Sequence, residues 1–318
     1  MSRWTPPQSE PQYEFSKRAL LQLEVLIGLL TRIYGNQILK DKLSLIGGAA
    51  LHLVHSNIYP PQRLTMDVDF NFRNVSTLAD KDALYESRKR IDAEIKTLLL
   101  SMGADESDIK IDAKYPLGRF IVRLADKEDN PMKILIEIGY TKRIPLLGDA
   151  RYPLSQTSVE VTTPVPEELY AGKLAALFSR ATPRDMFDVW LISQSNIDVE
   201  SFRKSFIVES LVSLDIPFFQ MDIDDLLSSI AFDSGLQNLL PIGQYDKDAF
   251  NRIRQEVHNF INNLISELSK DEEDGIMKFY NDLVFDRDLL DPSEILHKRV
   301  DEYPALTWAL KELSQQGE

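Results

Sequence analysis

The stretch Thr65-Met66-Asp67-Val68-Asp69-Phe70 alternates as a β-strand does, with two aspartates on one face and apolar side chains on the other. Two like charges on one face of a sheet repel each other and gain nothing from burial. A divalent cation such as Mg²⁺ removes that repulsion, because it prefers hard oxygen ligands and neutralises both carboxylates. The alternative interpretation of the pair is a surface strand with two solvated carboxylates.

A second short pattern lies upstream, in Leu45-Ile46-Gly47-Gly48-Ala49-Ala50-Leu51. A Gly-Gly turn allows backbone amides to approach a phosphate group closely, because neither residue carries a side chain. Together with the two aspartates, this turn indicates metal-assisted phosphoryl or nucleotidyl transfer.

The composition is that of an ordinary soluble globular protein. The chain has 318 residues, enough for two domains, with 43% hydrophobic residues and a mean hydropathy of −0.22. The absence of cysteine excludes disulfides and thiolate chemistry and fits a reducing cytoplasm, and four histidines argue against a His-rich metal site. The most apolar early segment, 19–30, is too short to span a bilayer, and no signal peptide precedes it. We therefore expect a cytoplasmic protein.

The formal net charge of −14 limits the partners that are expected for the protein. So negative a chain is not expected to adhere non-specifically to nucleic acid. The total does not exclude a local basic groove, because the distribution of charge matters more than its sum.

Hydrophobic periodicity predicts an α+β first half and a helical second half. The first half has predicted helices at 15–34 and 78–100 and predicted strands at 63–71, 108–113, 119–124 and 132–139. These strands are expected to form one mixed or antiparallel sheet. The second half has predicted helices at 166–179, 183–193, 223–230, 247–268 and 277–283, with the charged run 270–274 as a solvated loop. The predicted domains are 1–163, the nucleotidyltransferase-like domain, and 164–318, a helical domain.

Glu137 interrupts a strand that is apolar on both faces from Ile134 to Ile138, in the stretch Lys133-Ile134-Leu135-Ile136-Glu137-Ile138. Such a strand is central in a sheet, where an unpaired carboxylate would be costly. Glu137 therefore either pairs with an arginine or joins Asp67 and Asp69 around a cation. In the second case three carboxylates would bind two Mg²⁺ ions.

The block from Lys173 to Asp188 combines a basic helix face with a helix start. Lys173 and Arg180 are seven positions apart and share a face with small alanines, which permits close approach to a polyanion. Thr182 is a predicted N-cap, with Pro183 at the first helical position and Asp185 at the third. Arg184 and Asp188 are predicted i,i+4 partners. The alternative is that these residues only cap a helix and form surface pairs.

The ordered set of Gly-Gly-Ala-Ala-Leu, Arg-Leu-Thr-Met-Asp-Val-Asp-Phe, a strand glutamate and the block from Lys173 to Asp188 resembles the AbiEii/AbiGii nucleotidyltransferase toxins. These are the toxin halves of type IV toxin–antitoxin and phage abortive-infection systems, similar to the MenT toxins, in the polymerase-β-like superfamily. The resemblance covers roughly residues 43–190.

The resemblance implies roles for individual positions. Gly47 and Gly48 match the phosphate-cradling turn, Lys173 matches a phosphate-contacting lysine, and Asp188 or Asp185 matches the acidic residue of the last motif. The catalytic candidates are Asp67, Asp69, Glu137 and Asp188, of which the first three are also the candidate metal ligands. The nucleotide-binding candidates are Gly47, Gly48, Thr65, Lys173, Arg180, Arg184 and Asp185.

The implied activity is Mg²⁺-dependent transfer of a nucleoside monophosphate from an NTP to RNA, at the 3′ end of tRNA, which blocks translation. Mn²⁺ is the alternative cation, and a cognate antitoxin is the expected protein partner. Two other functions remain open on the sequence: transfer to a small cationic acceptor such as an aminoglycoside, and non-catalytic nucleotide binding.

Overall fold

A mixed five-stranded sheet forms the first half of the protein. The structure is a computed structural model, which describes residues 15–56, 63–65, 67–74, 80–126, 128 and 130–316. The strands are β1 (Leu43–Ile46), β2 (Asp67–Phe72), β3 (Ile109–Asp112), β4 (Leu117–Ala125) and β5 (Pro131–Gly139). They lie in the order β1-β2-β5-β4-β3, with β2 and β5 parallel and the other neighbours antiparallel. The predicted α+β class and the central position of the Glu137 strand are confirmed.

Two long helices cover one face of this sheet. The helices of the first half are α1 (Lys17–Gly35), α2 (Gly47–Ala50, continued by a π-helical turn at Leu51–His55) and α3 (Lys81–Ser101). Tyr34 of α1 packs on Phe70 of β2, with ring centroids 6.3 Å apart. Asp92 of α3 lies above Gly118 of β4. The apolar side chains of the central strands point to this covered face, which leaves the opposite face for polar residues.

The described residues after β5 form a two-stranded sheet and then only helices and connecting segments. The two strands, β6 (Asp149–Pro153) and β7 (Glu160–Pro164), are antiparallel and were not predicted from the sequence. The helices are α4 (Pro166–Arg180), α5 (Pro183–Ser193), α6 (Val199–Ser213), α7 (Ile223–Ser228), α8 (Ser234–Gln237), α9 (Lys247–Ser266), α10 (Lys270–Asp282), α11 (Arg287–Leu290) and α12 (Pro304–Gln316). The predicted boundary at 163/164 coincides with this change and stays a prediction.

Local sequence explains where α4 and α5 begin and end. Pro166 and Pro183 occupy first-turn positions, where a missing N–H costs nothing. Ala181, in the left-handed conformation at φ 48°, ends α4. The Thr182 side chain then accepts a hydrogen bond from the backbone N–H of Asp185, which confirms the predicted N-cap. The sharp turn between the helices places Arg180 and Arg184 in the same cleft as the aspartates of β2.

The prediction of a solvated loop at 270–274 is wrong, because these residues form the first turns of α10. Ser269 and Glu272 make a reciprocal capping box, with hydrogen bonds of 3.1 and 2.8 Å. Acidic side chains at the start of a helix are stabilised by the helix dipole. Glu272 also bonds Lys204 at 2.8 Å, so it is buried rather than solvated.

Several predicted features fall partly outside the described residues, among them Met66 of the quoted stretch, positions 78–79 of the second predicted helix, the first 14 residues of the predicted N-terminal domain and the last two of the predicted helical domain. Among the helices that the structure does describe, none is long and apolar enough to cross a membrane.

Candidate active site

The two aspartates of β2 share one face of the sheet, as predicted, and lie beside the central strand. Asp69 is directly opposite Glu137 in the parallel register of β2 and β5. Val68 and Phe70, between and beyond the aspartates, are at most 1% exposed on the opposite face. The pair therefore points away from the main core of the sheet and into the space beneath α4 and α5.

The Gly47-Gly48 turn closes directly onto Asp69. Gly47 has a φ of +70°, and a Cβ atom added to it would clash with Oδ2 of Asp69. A Cβ on Gly48 would lie 2.9 Å from Oγ1 of Thr65. Gly47 therefore requires glycine because of its conformation and its close approach to Asp69, and a side chain at position 48 would displace Thr65. The turn predicted to cradle a phosphate lies against the predicted metal ligands.

Two adjoining clefts contain the predicted residues. The smaller cleft, about 140 Å³, is lined by Gly48, Arg63, Thr65, Asp67, Asp69, Lys173, Arg180, Thr182, Arg184, Asp185 and Asp188. The larger cleft, about 280 Å³, lies between the sheet and α4 and includes Gly47, Asn71, Glu137, Lys142 and Glu209 in its lining. Asp69, Lys173 and Arg180 line both clefts. All of the predicted site residues therefore line one or both of these clefts.

The electrostatics of the aspartates favour a bound cation. Burial raises the pKa of Asp69 to about 6, and the neighbouring Glu137 and Asp67 carboxylates act in the same direction, against Lys173. Burial also raises the pKa of Asp67, against the nearby Arg184 guanidinium. Carboxylates that resist ionisation for these reasons gain from a divalent cation, which offsets both desolvation and mutual repulsion.

Glu137 partly fulfils both alternatives, an arginine partner and a place beside the aspartates. Nε of Arg119 donates to Oε1 of Glu137 at 2.7 Å, so the carboxylate has an arginine partner. It also lies beside Asp69 in the sheet. In the described part of the chain, no three His, Asp or Glu side chains converge closely enough to hold a metal. The role of Glu137 as a third ligand therefore stays a prediction.

Asp67 and Asp69 are a donor set that fits Mg²⁺ without a third carboxylate. Mg²⁺ is usually held by one or two carboxylates, with water and substrate phosphates filling the remaining positions. The Gly-Gly turn and Lys173 lie beside Asp69 in the same clefts, where such phosphates would bind.

Asp188 is the centre of a buried charge network rather than a free carboxylate of the cleft. Arg63 donates to both of its oxygens, from Nε at 2.9 Å and from Nη2 at 2.8 Å. Nζ of Lys173 lies 2.7 Å from Oδ2 and Nε2 of His52 lies 3.0 Å from Oδ1. Burial alone would raise the pKa of Asp188, but these cations and His52 hold it well below its usual range. Asp188 therefore fixes Lys173 at the cleft.

The predicted i,i+4 pair of Arg184 and Asp188 is not formed. Asp188 turns inward to the network with Arg63, while Arg184 points towards the aspartates, with Nη1 4.0 Å from Oδ2 of Asp67. The buried cations outcompete an exposed partner because a charge pair is stronger away from water. Asp185 also has local partners, because its carboxylate accepts hydrogen bonds from Arg180 at 2.5 Å and from the Thr182 hydroxyl at 2.6 Å.

Arg63 and His52 were not among the predicted site residues. Arg63 is 4% exposed and His52 is 1% exposed, and both reach Asp188 from more than 120 positions away in the chain. Burial lowers the pKa of His52 to about 4, and the Arg63 charge adds to this effect, so the imidazole is neutral at pH 7. Sequence periodicity gives no signal for contacts over such a separation.

A carboxylate pair on a mixed sheet, a glycine turn closing on it and a lysine held by a buried aspartate define a nucleotidyltransferase. A protein-family profile described as "Nucleotidyl transferase AbiEii toxin, Type IV TA system" matches residues 28–275. The chain therefore belongs to the AbiEii family of nucleotidyltransferase toxins, which confirms the resemblance seen in the sequence. Membership of a toxin family of type IV systems implies an antitoxin partner.

A solved structure of a nucleotidyltransferase toxin has the same fold. MenT4, a nucleotidyltransferase toxin from Mycobacterium tuberculosis H37Rv, superposes with a TM-score of 0.56 at 16% identity, over 92% of each chain. An antigenic nucleotidyltransferase-like protein from Paracoccidioides brasiliensis gives a TM-score of 0.32 at 14% identity, over 70% of this chain and 98% of that one. A search of curated protein sequences finds no significant match.

Proposed function

We propose that the protein transfers a nucleoside monophosphate from an NTP to the 3′ hydroxyl of an RNA acceptor, in the first place tRNA, and thereby blocks translation. One observation carries the proposal: Asp69 lies between the Gly47-Gly48 turn and Lys173 in a single pair of clefts. A carboxylate beside two phosphate-binding elements has the arrangement that nucleotidyl transfer requires.

The phosphates of the NTP are assigned to the region around Lys173. Lysine is a compact point charge well suited to phosphate, and here Asp188 fixes its ammonium group at the cleft. The Gly47-Gly48 turn has no side chains to obstruct the approach. Arg180, 59% exposed and anchored by Asp185, lines both clefts and supplies a second positive charge. The larger cleft, about 280 Å³, is assigned to the nucleoside.

Asp67 and Asp69 would hold the cation, Mg²⁺ or alternatively Mn²⁺. Bound there, it would neutralise charge on the triphosphate and increase the acidity of the acceptor hydroxyl. Supporting this assignment, burial raises the pKa of both carboxylates, and each lies near another negative group. Glu137 lies beside Asp69 and accepts a hydrogen bond from Arg119, so it would have to leave or share that partner to act as a third ligand.

In the proposed step, the acceptor 3′ oxygen forms a bond to the α-phosphorus of the NTP. The bond from that phosphorus to the bridging oxygen of the β-phosphate breaks, and pyrophosphate leaves. The hydroxyl proton passes to the Asp67 carboxylate, which is 41% exposed and can release it to water. Lys173 and Arg180 stabilise the charge on the leaving pyrophosphate. Catalysis then consists mainly of positioning and charge neutralisation.

The proposal is tested by incubating the purified protein with each α-labelled NTP and total tRNA. Label is expected in the RNA with the wild type and absent with Asp67→Ala, while circular dichroism shows the variant still folded. A parallel incubation with aminoglycosides tests the small-molecule alternative. Label incorporated by Asp67→Ala, or incorporated only into the aminoglycoside, would contradict the proposal.

The same proposal places the protein in the cytoplasm, where NTP and tRNA are found. It also assigns the antitoxin the task of preventing this transfer. Growth arrest on expression, relieved by the cognate antitoxin or by Asp67→Ala, would support both statements.

A further inference from the structure

Part of the polar face of the sheet is not covered by α4. Along β4 and β5 every second residue is buried, and the residues between them become more exposed with distance from Glu137. Leu135 and Ile121 are half-buried, and Lys133 and Arg123 are exposed. The register places Asp67 beside Leu135 on β5, and Leu135 beside Ile121 on β4. The uncovered face therefore begins at one of the two aspartates.

A groove of about 280 Å³ runs across this face and is lined by Asp67, Arg119, Ile121, Lys133 and Leu135. Its floor is apolar, formed by Leu135 and Ile121, and its two sides carry Lys133 and Arg119. Asp67 also lines the smaller cleft of the active site. It is therefore the boundary between the groove on one side and the clefts assigned to the NTP on the other.

The groove lies in a region where cations and carboxylates nearly balance, although the protein as a whole is acidic. Four cations lie on this uncovered face, namely Lys110, Arg119, Arg123 and Lys133. The described carboxylates of the same rows are Asp108 and Asp112 on the outer side and Asp67, Asp69 and Glu137 at the active site. Arg123 is 71% exposed and its nearest carboxylate oxygen, on Asp108, is 3.8 Å away. Arg119 and Lys133 are the cations that line the groove itself, and Arg119 is held there by its hydrogen bond to Glu137.

We propose that this groove binds the single-stranded 3′ end of the RNA acceptor. The terminal ribose and base pack on Leu135 and Ile121, the adjoining phosphates contact Lys133 and Arg119, and the 3′ hydroxyl reaches Asp67. Cations beside an apolar surface suit single-stranded nucleic acid, because its phosphates and its base faces are both accessible. Here the apolar surface is aliphatic, so a base would pack on it without aromatic stacking. The proposal rests on the proposed function and adds the surface that receives the acceptor.

Lys133→Glu tests the groove, because Lys133 is exposed and its replacement leaves the core intact. The substrate is a short RNA that ends in a single-stranded 3′ segment. We expect Lys133→Glu to raise the KM for this RNA about tenfold or more and to leave the NTP affinity, measured by calorimetry, unchanged. The milder Lys133→Ala should reduce the salt dependence of RNA binding, by about 0.7 in the slope of log affinity against log salt. The matched control is Lys89→Glu, because Lys89 is exposed on α3, which packs on the other face of the sheet. This variant should leave the KM for RNA and the salt dependence unchanged.

RNA binding is also measured by fluorescence anisotropy, independently of transfer. If the wild type transfers nothing to RNA, the proposed function fails, and weaker binding by Lys133→Glu than by Lys89→Glu still supports the groove. If the wild type labels RNA and Lys133→Glu keeps its KM, its affinity and its salt dependence, the groove proposal is overturned and the proposed function stands. A change of oligomeric state in Lys133→Glu with unchanged RNA binding would also overturn it, because the face would then join two copies of the chain.

Discussion

Asp188→Asn should cost the protein far more stability than an ordinary charge-removing substitution. The asparagine has the same shape but no charge, so it leaves Arg63 and Lys173 as buried cations without a counter-ion. Asp188 receives two hydrogen bonds from Arg63 and one from Lys173, all between 2.7 and 2.9 Å. Removing one partner of such a buried pair costs about 3–5 kcal/mol. We expect a loss of that size in the free energy of unfolding.

Urea denaturation followed by circular dichroism measures this loss, and its pH dependence identifies the cause. The pKa of Asp188 is held well below its usual range in the folded protein, so its contribution is complete above the unfolded pKa of about 4. The difference between wild type and Asp188→Asn should be constant from pH 5 to 8 and should shrink as the pH falls below about 4. Asp246→Asn, which exchanges one good N-cap for another at the start of α9, is the control and should change little. A loss under about 1 kcal/mol at pH 7 would refute the buried network.

Three further predictions concern the cleft. Lys173→Ala should weaken NTP binding measured by calorimetry at least tenfold, while Lys204→Ala, which removes a similarly buried lysine bound to Glu272, should lower stability without changing NTP affinity. Gly47→Ala should abolish transfer and lower stability by about 1–2 kcal/mol, because Gly47 has a positive φ and contacts Asp69. The control is Gly28→Ala, inside α1 with open space around it, which should be neutral or stabilising. Asp69→Asn should stabilise the metal-free protein by at most about 3 kcal/mol at pH 8, because the folded pKa of Asp69, about 6, lies above its unfolded value. This gain should vanish as the pH falls from 6 to 4. An equal effect at pH 8 and pH 4 would contradict that origin.

The sequence was sufficient to predict the strands and helices whose patterns are local. The alternation in β4 and β5 marks one buried face, and Thr182 with Pro183 marks the start of α5 to the residue. The same reasoning was wrong at 270–274, where a run of charge was read as solvated although Ser269 and Glu272 form a capping box. Charge alone does not distinguish a loop from the first turn of a helix, because acidic residues favour both.

The site was predictable where its residues are adjacent in sequence and not where tertiary structure assembles it. Asp67 and Asp69 share a face because of strand geometry, so their proximity followed from spacing. Arg63 and Asp188 are separated by 125 positions, and nothing in either segment indicates their pairing. For Glu137 the sequence posed the right alternatives, but the choice of Arg119 depends on the register of β4 against β5.

The acidic composition illustrates how a total can conceal a local feature. A net charge of −14 argues against broad adhesion to nucleic acid. The uncovered sheet face nevertheless gathers Lys110, Arg119, Arg123 and Lys133 beside Asp67. Only the strand register reveals this, because these four residues are spread over three strands.

The most direct test of the central claim is the mass of a single purified tRNA after incubation with the protein, Mg²⁺ and the four NTPs. The account predicts a product heavier by one or more nucleoside monophosphates, located at the 3′ end by nuclease digestion, and no mass change with Asp69→Asn. An unchanged tRNA with wild-type protein that binds NTP, or an extended tRNA with Asp69→Asn, would contradict it.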